Sequence, residues 1–168
     1  MADRIRLDIE PPINGWAKVR LTGPEVLVEF VASYTPSDSI GELARAAKSL
    51  LAGLPEQVVV WNTEPIEYEF RFVMTGGRTS LEVWQFPDGR TRRCPAAPIG
   101  VVEGATIDVV RAVWRGLRRL QGAISSAPFE AAWGHPFPAE TVEQVGRGTS
   151  RGSIGAMERF TSTDQPRD

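Results

Sequence analysis

Ile66-Glu67-Tyr68-Glu69-Phe70-Arg71-Phe72-Val73-Met74-Thr75-Gly76-Gly77-Arg78-Thr79-Ser80-Leu81-Glu82-Val83-Trp84-Gln85-Phe86 is the stretch that decides the fold class. Ile66, Tyr68, Phe70, Phe72 and Met74 alternate with Glu67, Glu69 and Arg71, the period of two that sends successive side chains to opposite faces of a strand. Gly76-Gly77 is a turn pair, Leu81 and Val83 resume the apolar alternation up to Phe86, and Pro87-Asp88-Gly89 ends it. Two antiparallel strands in a hairpin are therefore expected here, with one face turned to a core.

Working back toward the N-terminus, Val58-Val59-Val60-Trp61 is apolar on both faces, which predicts a strand in the middle of the sheet, covered on each side or lying next to the helix. Before it the period becomes helical. Ile40, Leu43, Ala44, Ala47, Leu50 and Leu51 recur on one helix face. Ser39 with Glu42 has capping-box spacing, Asp38 competes as N-cap, and Gly53 followed by Pro55 marks the stop. Earlier still, Ile5, Leu7 and Ile9 alternate with charged residues. Ala17, Val19 and Leu21 alternate with Trp16, Lys18 and Arg20, and Thr22-Gly23-Pro24 leads into Val26, Val28 and Phe30.

Toward the C-terminus, residues 90–104 are polar, with Pro95 and Pro98, and read as a loop. From about Ala105, Ile107, Val110, Val113, Trp114, Leu117 and Leu120 fall on one helix face, with Arg111, Arg115, Arg118 and Arg119 on the other side. Phe129 to Trp133 reads as a short helical turn, and Phe137-Pro138 precedes a brief helix through Val142 and Val145. After Gly146 the chain is rich in Gly, Ser, Thr and Arg. The expectation is one α+β domain over residues 1–146 and a flexible tail over 147–168, with a mostly antiparallel sheet of about six strands in the order βββαβββα(α) and helices packed on it.

Composition limits function. The 168 residues suffice for a self-supporting core, and 42% hydrophobic with 24% charged residues is ordinary globular usage. A formal charge of -2 offers no global attraction for nucleic acid or anionic lipid. Cys94 is the single cysteine, so no intrachain disulfide can form, which fits the cytoplasm. The N-terminal residues lack the apolar core of a secretory signal, and no run approaches the roughly 18 apolar residues that span a bilayer.

The candidate chemistry is sparse. His135 is the sole histidine, which removes two-histidine zinc sites, and no metal or cofactor is expected. Arg92 and Arg93 beside Cys94 favour a thiolate, but no histidine spacing supports a dyad. Glu64, Glu67 and Glu69 put carboxylates near a strand junction. Glu67 and Glu69 share one strand face with Arg71, as solvated outward positions do, while Glu64 lies at a bend before Pro65. Trp16 and Trp84 occupy strand positions opposite the core face, where they either anchor a partner or pack beneath helices. Arg111, Arg115 and Arg118, with Arg90, Arg92 and Arg93 in the preceding loop, form the basic feature, either a solvated helix face or a surface for phosphates or an acidic protein.

The frame formed by Trp16, Ser33-Tyr34, Asp38, Leu43, Trp61, Glu64-Pro65, Tyr68 and Phe137-Pro138 resembles that of small uncharacterised bacterial α+β proteins, some of them similar to immunity proteins, which bind and block a toxin. The resemblance spans residues 16 to about 145, carries over no catalytic residue and implies a protein-binding role. The expected function is thus a non-enzymatic protein-binding domain whose contacts are Trp16, Glu64, Glu67, Glu69 and Trp84. One alternative is an apolar small-molecule carrier or degenerate enzyme with a pocket between the sheet and the second helix, lined by Tyr68, Phe70, Phe72 and Trp114. The other is nucleic-acid binding through Arg111, Arg115 and Arg118.

Overall fold

The computed structural model describes residues 5–88 and 93–160, with the backbone alone over 152–160. The hairpin is present as β5 (Glu67–Thr75) and β6 (Arg78–Phe86), closed by Thr75 opposite Arg78, with Gly76 and Gly77 at positive φ. It is part of a larger antiparallel sheet. β1 (Arg6–Ile9), β2 (Trp16–Gly23), β3 (Val26–Ser33) and β4 (Glu56–Asn62) precede it, β7 (Gly100–Ala105) follows, and the seven strands lie in sequence order. α1 (Ser39–Leu51) separates β3 from β4. α2 (Thr106–Ala123), α3 (Ser126–Trp133) and α4 (Ala139–Phe160) follow β7.

Seven strands replace the expected six because β7 lies within residues read as a loop. Pro95 and Pro98 both precede it, so the N–H groups of 100–105 remain available to pair with β6, from Gly100 opposite Val83 to Ala105 opposite Arg78. α4 is the other difference. The flexible tail expected over 147–168 begins as helix, since α4 continues to Phe160, and 161–168 lie outside the described residues. Val142, Val145 and Thr149 are buried where α4 packs on α1 and α2, and this burial offsets the poor helix propensity of Gly146 and Gly148.

The sheet has a corner. β3 and β4 share one residue pair, Ser33 opposite Asn62, and beyond it the two strands part. β7 then comes over the start of β3, where Gly23 leaves room for Val102 and Gly100 for Val26 and Val28. The inner faces of the two halves meet in an aromatic core: Phe30 stacks on Tyr68 at 4.3 Å and meets Trp61 and Phe70 edge-on. Helices close the remaining sides. A Cβ on Gly116 of α2 would sit 2.5 Å from the Leu7 carbonyl of β1, so only glycine permits this approach, and Arg119 Nη2 donates to that same carbonyl at 2.7 Å. α1 caps the edge that β4 exposes at the corner. Ser39 Oγ donates to the Val60 carbonyl at 2.6 Å.

Asp38, and not Ser39, is the N-cap of α1, its Oδ1 accepting from Gly41 N at 3.0 Å. The same oxygen accepts from Trp133 Nε1 at 2.9 Å, tying α3 to the start of α1. β4 is the fourth of seven strands and packs against α1, as expected of a mid-sheet strand next to the helix, but it is not covered on both sides: Val59 and Trp61 are sealed inside, whereas Val58 faces out and is exposed.

Candidate partner-binding site

The residues after β3 and β4 meet at the corner and form a groove of about 870 Å³ lined by Thr35, Pro36, Asn62, Glu64, Pro65, Glu67 and Asp88. Its floor continues a cross-strand row. Trp16 stands opposite Ser33, Ser33 opposite Asn62, Asn62 opposite Glu67, and Glu67 opposite Phe86, so all five share the outer face of the sheet. The sequence folds locally in this way because two proline-ended segments turn here, with cis peptide bonds at Thr35-Pro36 and Glu64-Pro65. Glu64 takes a left-handed conformation, φ 43°, which a non-glycine residue adopts only when its surroundings hold it. Three bonds do so: Glu64 N donates to Asn62 Oδ1 at 3.1 Å, Asn62 Nδ2 donates to the Thr35 carbonyl at 2.8 Å, and Thr63 Oγ1 donates to the Ile66 carbonyl at 2.7 Å.

These bonds employ Asn62 and Thr63 in shaping the backbone and leave the carboxylates facing the groove. Glu64 accepts from Thr35 Oγ1 at 3.3 Å, and neither Glu64 nor Glu67 has an ion-pair partner among the described residues. Beside the groove three apolar side chains reach solvent. Trp16 is 39% exposed, Tyr34 40% and Ile13 71%. They form one neighbourhood, since Ile13 and Trp16 exchange main-chain hydrogen bonds and Tyr34 N donates to the Gly15 carbonyl at 2.9 Å. The Tyr34 ring lies against Gly15 and Gly134, both at positive φ, and a Cβ at either would sit within 3 Å of it. Aromatic anchors beside unneutralised carboxylates are suited to binding a cationic protein segment through apolar contact and charge together.

The other expected contacts are distributed differently. Glu69 is a correction: it points to the outer face as its alternation predicted, yet it is only 4% exposed. Its carboxylate accepts from Arg71 Nε at 2.8 Å, and the Arg71 guanidinium lies 4.7 Å over the Trp84 ring. Trp84, half-buried, donates through Nε1 to Glu82 at 2.7 Å, so Glu69 and Trp84 belong to an intramolecular arrangement and not to the open groove. Thr35, Asn62, Asp88, Tyr34 and Ile13 were not anticipated. The available signal was the pair of X-Pro turns flanking them.

The pocket expected from Tyr68, Phe70, Phe72 and Trp114 is occupied by those side chains themselves. Phe70 and Phe72 are fully buried and Tyr68 is stacked on Phe30, while Trp114 lies elsewhere, between α2 and α4. Arg111 donates to the Thr149 carbonyl at 3.1 Å and pairs with Asp108, Arg115 is half-buried beside Arg119, and Arg118 donates to Gln121 at 2.5 Å. Arg93 and Cys94 are exposed, and Arg90 and Arg92 lie outside the described residues. His135 is half-buried, its ring 6.5 Å from that of Tyr34. Among the described residues no cluster of His, Cys, Asp or Glu has metal-binding geometry, and no helix is long and apolar enough to cross a membrane. A comparison with known protein families finds no match to this chain, and comparisons with curated proteins and with solved structures find none either.

Proposed function

We propose that this chain is a non-enzymatic protein-binding domain that presents Trp16, Tyr34, Glu64 and Glu67 at the corner of its sheet to a basic segment of a partner protein. One observation carries the reading: Glu64 and Glu67 line one groove, neither has an ion-pair partner among the described residues, and the partly exposed rings of Trp16 and Tyr34 stand beside them. Placing unpaired like charges together is unfavourable in the free protein, and a cationic partner relieves it. The polar side chains around them, Asn62 and Thr63, hold backbone and are thereby committed to shape. An immunity-type role, blocking a toxin by covering its basic surface, is one form this binding takes in the proposal.

The test is capture of partners from the native host by the purified protein, alongside Trp16→Ala and the double variant Glu64→Lys with Glu67→Lys. A stoichiometric protein partner should be retained by the parent, weakened at least tenfold by the double variant (about 1.4 kcal/mol) and released by added salt. A partner bound equally well by all three proteins refutes this surface.

A further inference from the structure

The corner that opens the groove also leaves a strand edge unpaired. Gly23 and Val26 flank the two-residue Pro24-Glu25 turn as partners, so their main-chain groups bond each other, and the pattern alternates from there along the hairpin. The N–H and C=O groups of Val26, Val28, Phe30 and Ala32 therefore face β2. Those of Leu27, Glu29, Val31 and Ser33 face away from it, and of these only Ser33 meets a strand, at Asn62. Leu27, Glu29 and Val31 have no main-chain partner on that side among the described residues.

Their side chains lie on the outer face, Leu27 70% and Val31 47% exposed. Proteins guard such edges with prolines, bulges or charges. Here Pro24 sits in the turn and not in the strand. The one charge, Glu29, is already neutralised by Lys18 Nζ at 3.0 Å and Arg20 Nε at 2.6 Å. The lane beside β3 runs in line with β4, which is antiparallel to β3, and at its upper end stand Asn62 and the groove carboxylates.

We propose that this edge receives an extended segment of the protein partner as an added antiparallel strand, with apolar residues opposite Leu27 and Val31 and basic residues just before them, at the end that meets Glu64 and Glu67. The proposal rests on the protein-binding reading above and adds how the partner docks. Charge selects a foreign segment over a second copy. Two β3 edges paired antiparallel about Glu29 would bring the exposed Glu25 of the second copy opposite Ser33, at the end where Glu64 and Glu67 stand, whereas a lysine-led segment brings cations there.

The probe is an acetylated, amidated peptide, Lys-Lys-Val-Thr-Thr-Thr-Val-Thr, titrated into the full chain while amide hydrogen exchange is followed residue by residue. The amides of Leu27, Glu29 and Val31 should exchange fast in the free protein and at least tenfold more slowly with the peptide bound, while Val28 and Phe30 are protected throughout. Val31→Pro removes an N–H that β2 does not use and should weaken the peptide at least tenfold, as should Leu27→Lys with Val31→Lys, which keeps every N–H in place should the proline variant not fold. No slowing at the three amides, or peptide affinity unchanged in the variants that fold, overturns strand addition. If Glu64→Lys with Glu67→Lys weakens binding while Val31→Pro does not, the edge is wrong and the groove stands. Concentration-dependent protection of the same amides without peptide overturns the foreign segment in favour of self-pairing.

Discussion

The groove at the sheet corner and the groove between α2 and α4 are both lined by charge, and they differ in whether that charge is spent. The α2–α4 groove, about 500 Å³, is lined by Trp114, Arg118, Glu143, Gly146, Arg147, Ser150 and Arg151. Arg147 pairs with Glu143 at 2.8 Å one helical turn away, Arg118 holds Gln121, and Arg111 reaches across to the Thr149 carbonyl. Arg147 and Arg118 are thus engaged within their own helices, and Arg111 crosses from α2 to α4. At the corner the hydrogen bonds run from Asn62 and Thr63 to backbone, and Glu64 and Glu67 have no ion-pair partner among the described residues. A count of charges along a helix overstates what a partner can meet, because neighbours one turn away or on the next helix take the charge first. Glu64, at the bend, accepts only from the uncharged Thr35 hydroxyl, and Glu67, half-buried at the start of β5, has no ion-pair partner among the described residues, so both carboxylates remain for a cationic partner.

This contrast can be broken at either end. The largest effect is expected from Trp133→Ala, because Trp133 is fully buried and its Nε1 bonds the Asp38 oxygen that caps α1. A loss of about 3–5 kcal/mol by denaturant unfolding is expected. Faster amide exchange should appear at Thr35 and Gly41, beside the corner groove, ahead of any at the α2–α4 contact. A loss under about 1 kcal/mol would show that this frame does not hold the groove.

Gly146→Ala probes the other groove. A Cβ there would sit 2.8 Å from Trp114 Nε1, a buried N–H with no hydrogen-bond partner, so the indole or the helix must move. About 1–3 kcal/mol of destabilisation is expected, with a shift in tryptophan emission as Trp114 is displaced. An unchanged melting curve would mean that α4 is held by Val142 and Val145 alone. Arg147→Gln should change stability by no more than about 0.5 kcal/mol, since its partner Glu143 and the guanidinium are both exposed. A larger loss would contradict the view that this pair merely uses up charge.

The smallest effect concerns pH. Burial raises the Glu42 carboxyl above its usual range, an effect that Arg45 and the Val60 N–H only partly offset. A carboxyl raised in the folded state holds its proton there when the unfolded chain has released its own, so it costs stability as pH rises through the carboxylate range. Glu42→Gln should thus match the parent near pH 3 and exceed it by about a few tenths of a kcal/mol at pH 7, the half-exposed site keeping the difference small. Asp8 has the opposite sign. Burial pushes its carboxyl up, but Arg6 and Arg119 together outweigh that and hold it below the usual value, so the stability it contributes is present above the ordinary carboxylate range and lost as pH falls through the lowered value.

Much of the chain could be read before folding, and the misreadings have physical causes. The β5–β6 hairpin followed from period-two alternation and a glycine turn, and α1 ended where Gly53 takes positive φ. Between Asp38 and Ser39 the sequence could not choose, since both are good caps. The choice fell to Asp38 because Ser39 Oγ is drawn to the Val60 carbonyl of β4. The outward direction of Glu69 was legible. Its burial was not, because period-two alternation says which face a side chain takes and nothing of what covers that face. α4 was shortened in the reading by its glycines, whose cost is met by packing on α1 and α2 that no local pattern records.

By itself the sequence determined the α+β class, the antiparallel pairing of near neighbours, the apolar faces of α1 and α2 and the separation of Trp16 from the core, since each of these follows from periods and turns spanning a few residues. Only the tertiary structure decided the site. Trp16, Thr35, Asn62, Glu64, Glu67 and Asp88 come from four separated segments, and they converge because the sheet breaks after one residue pair between β3 and β4. That break goes with α1 bonding the Val60 carbonyl and with β7 folding over Val26 and Val28. Both are long-range contacts whose energy appears only when the whole core closes.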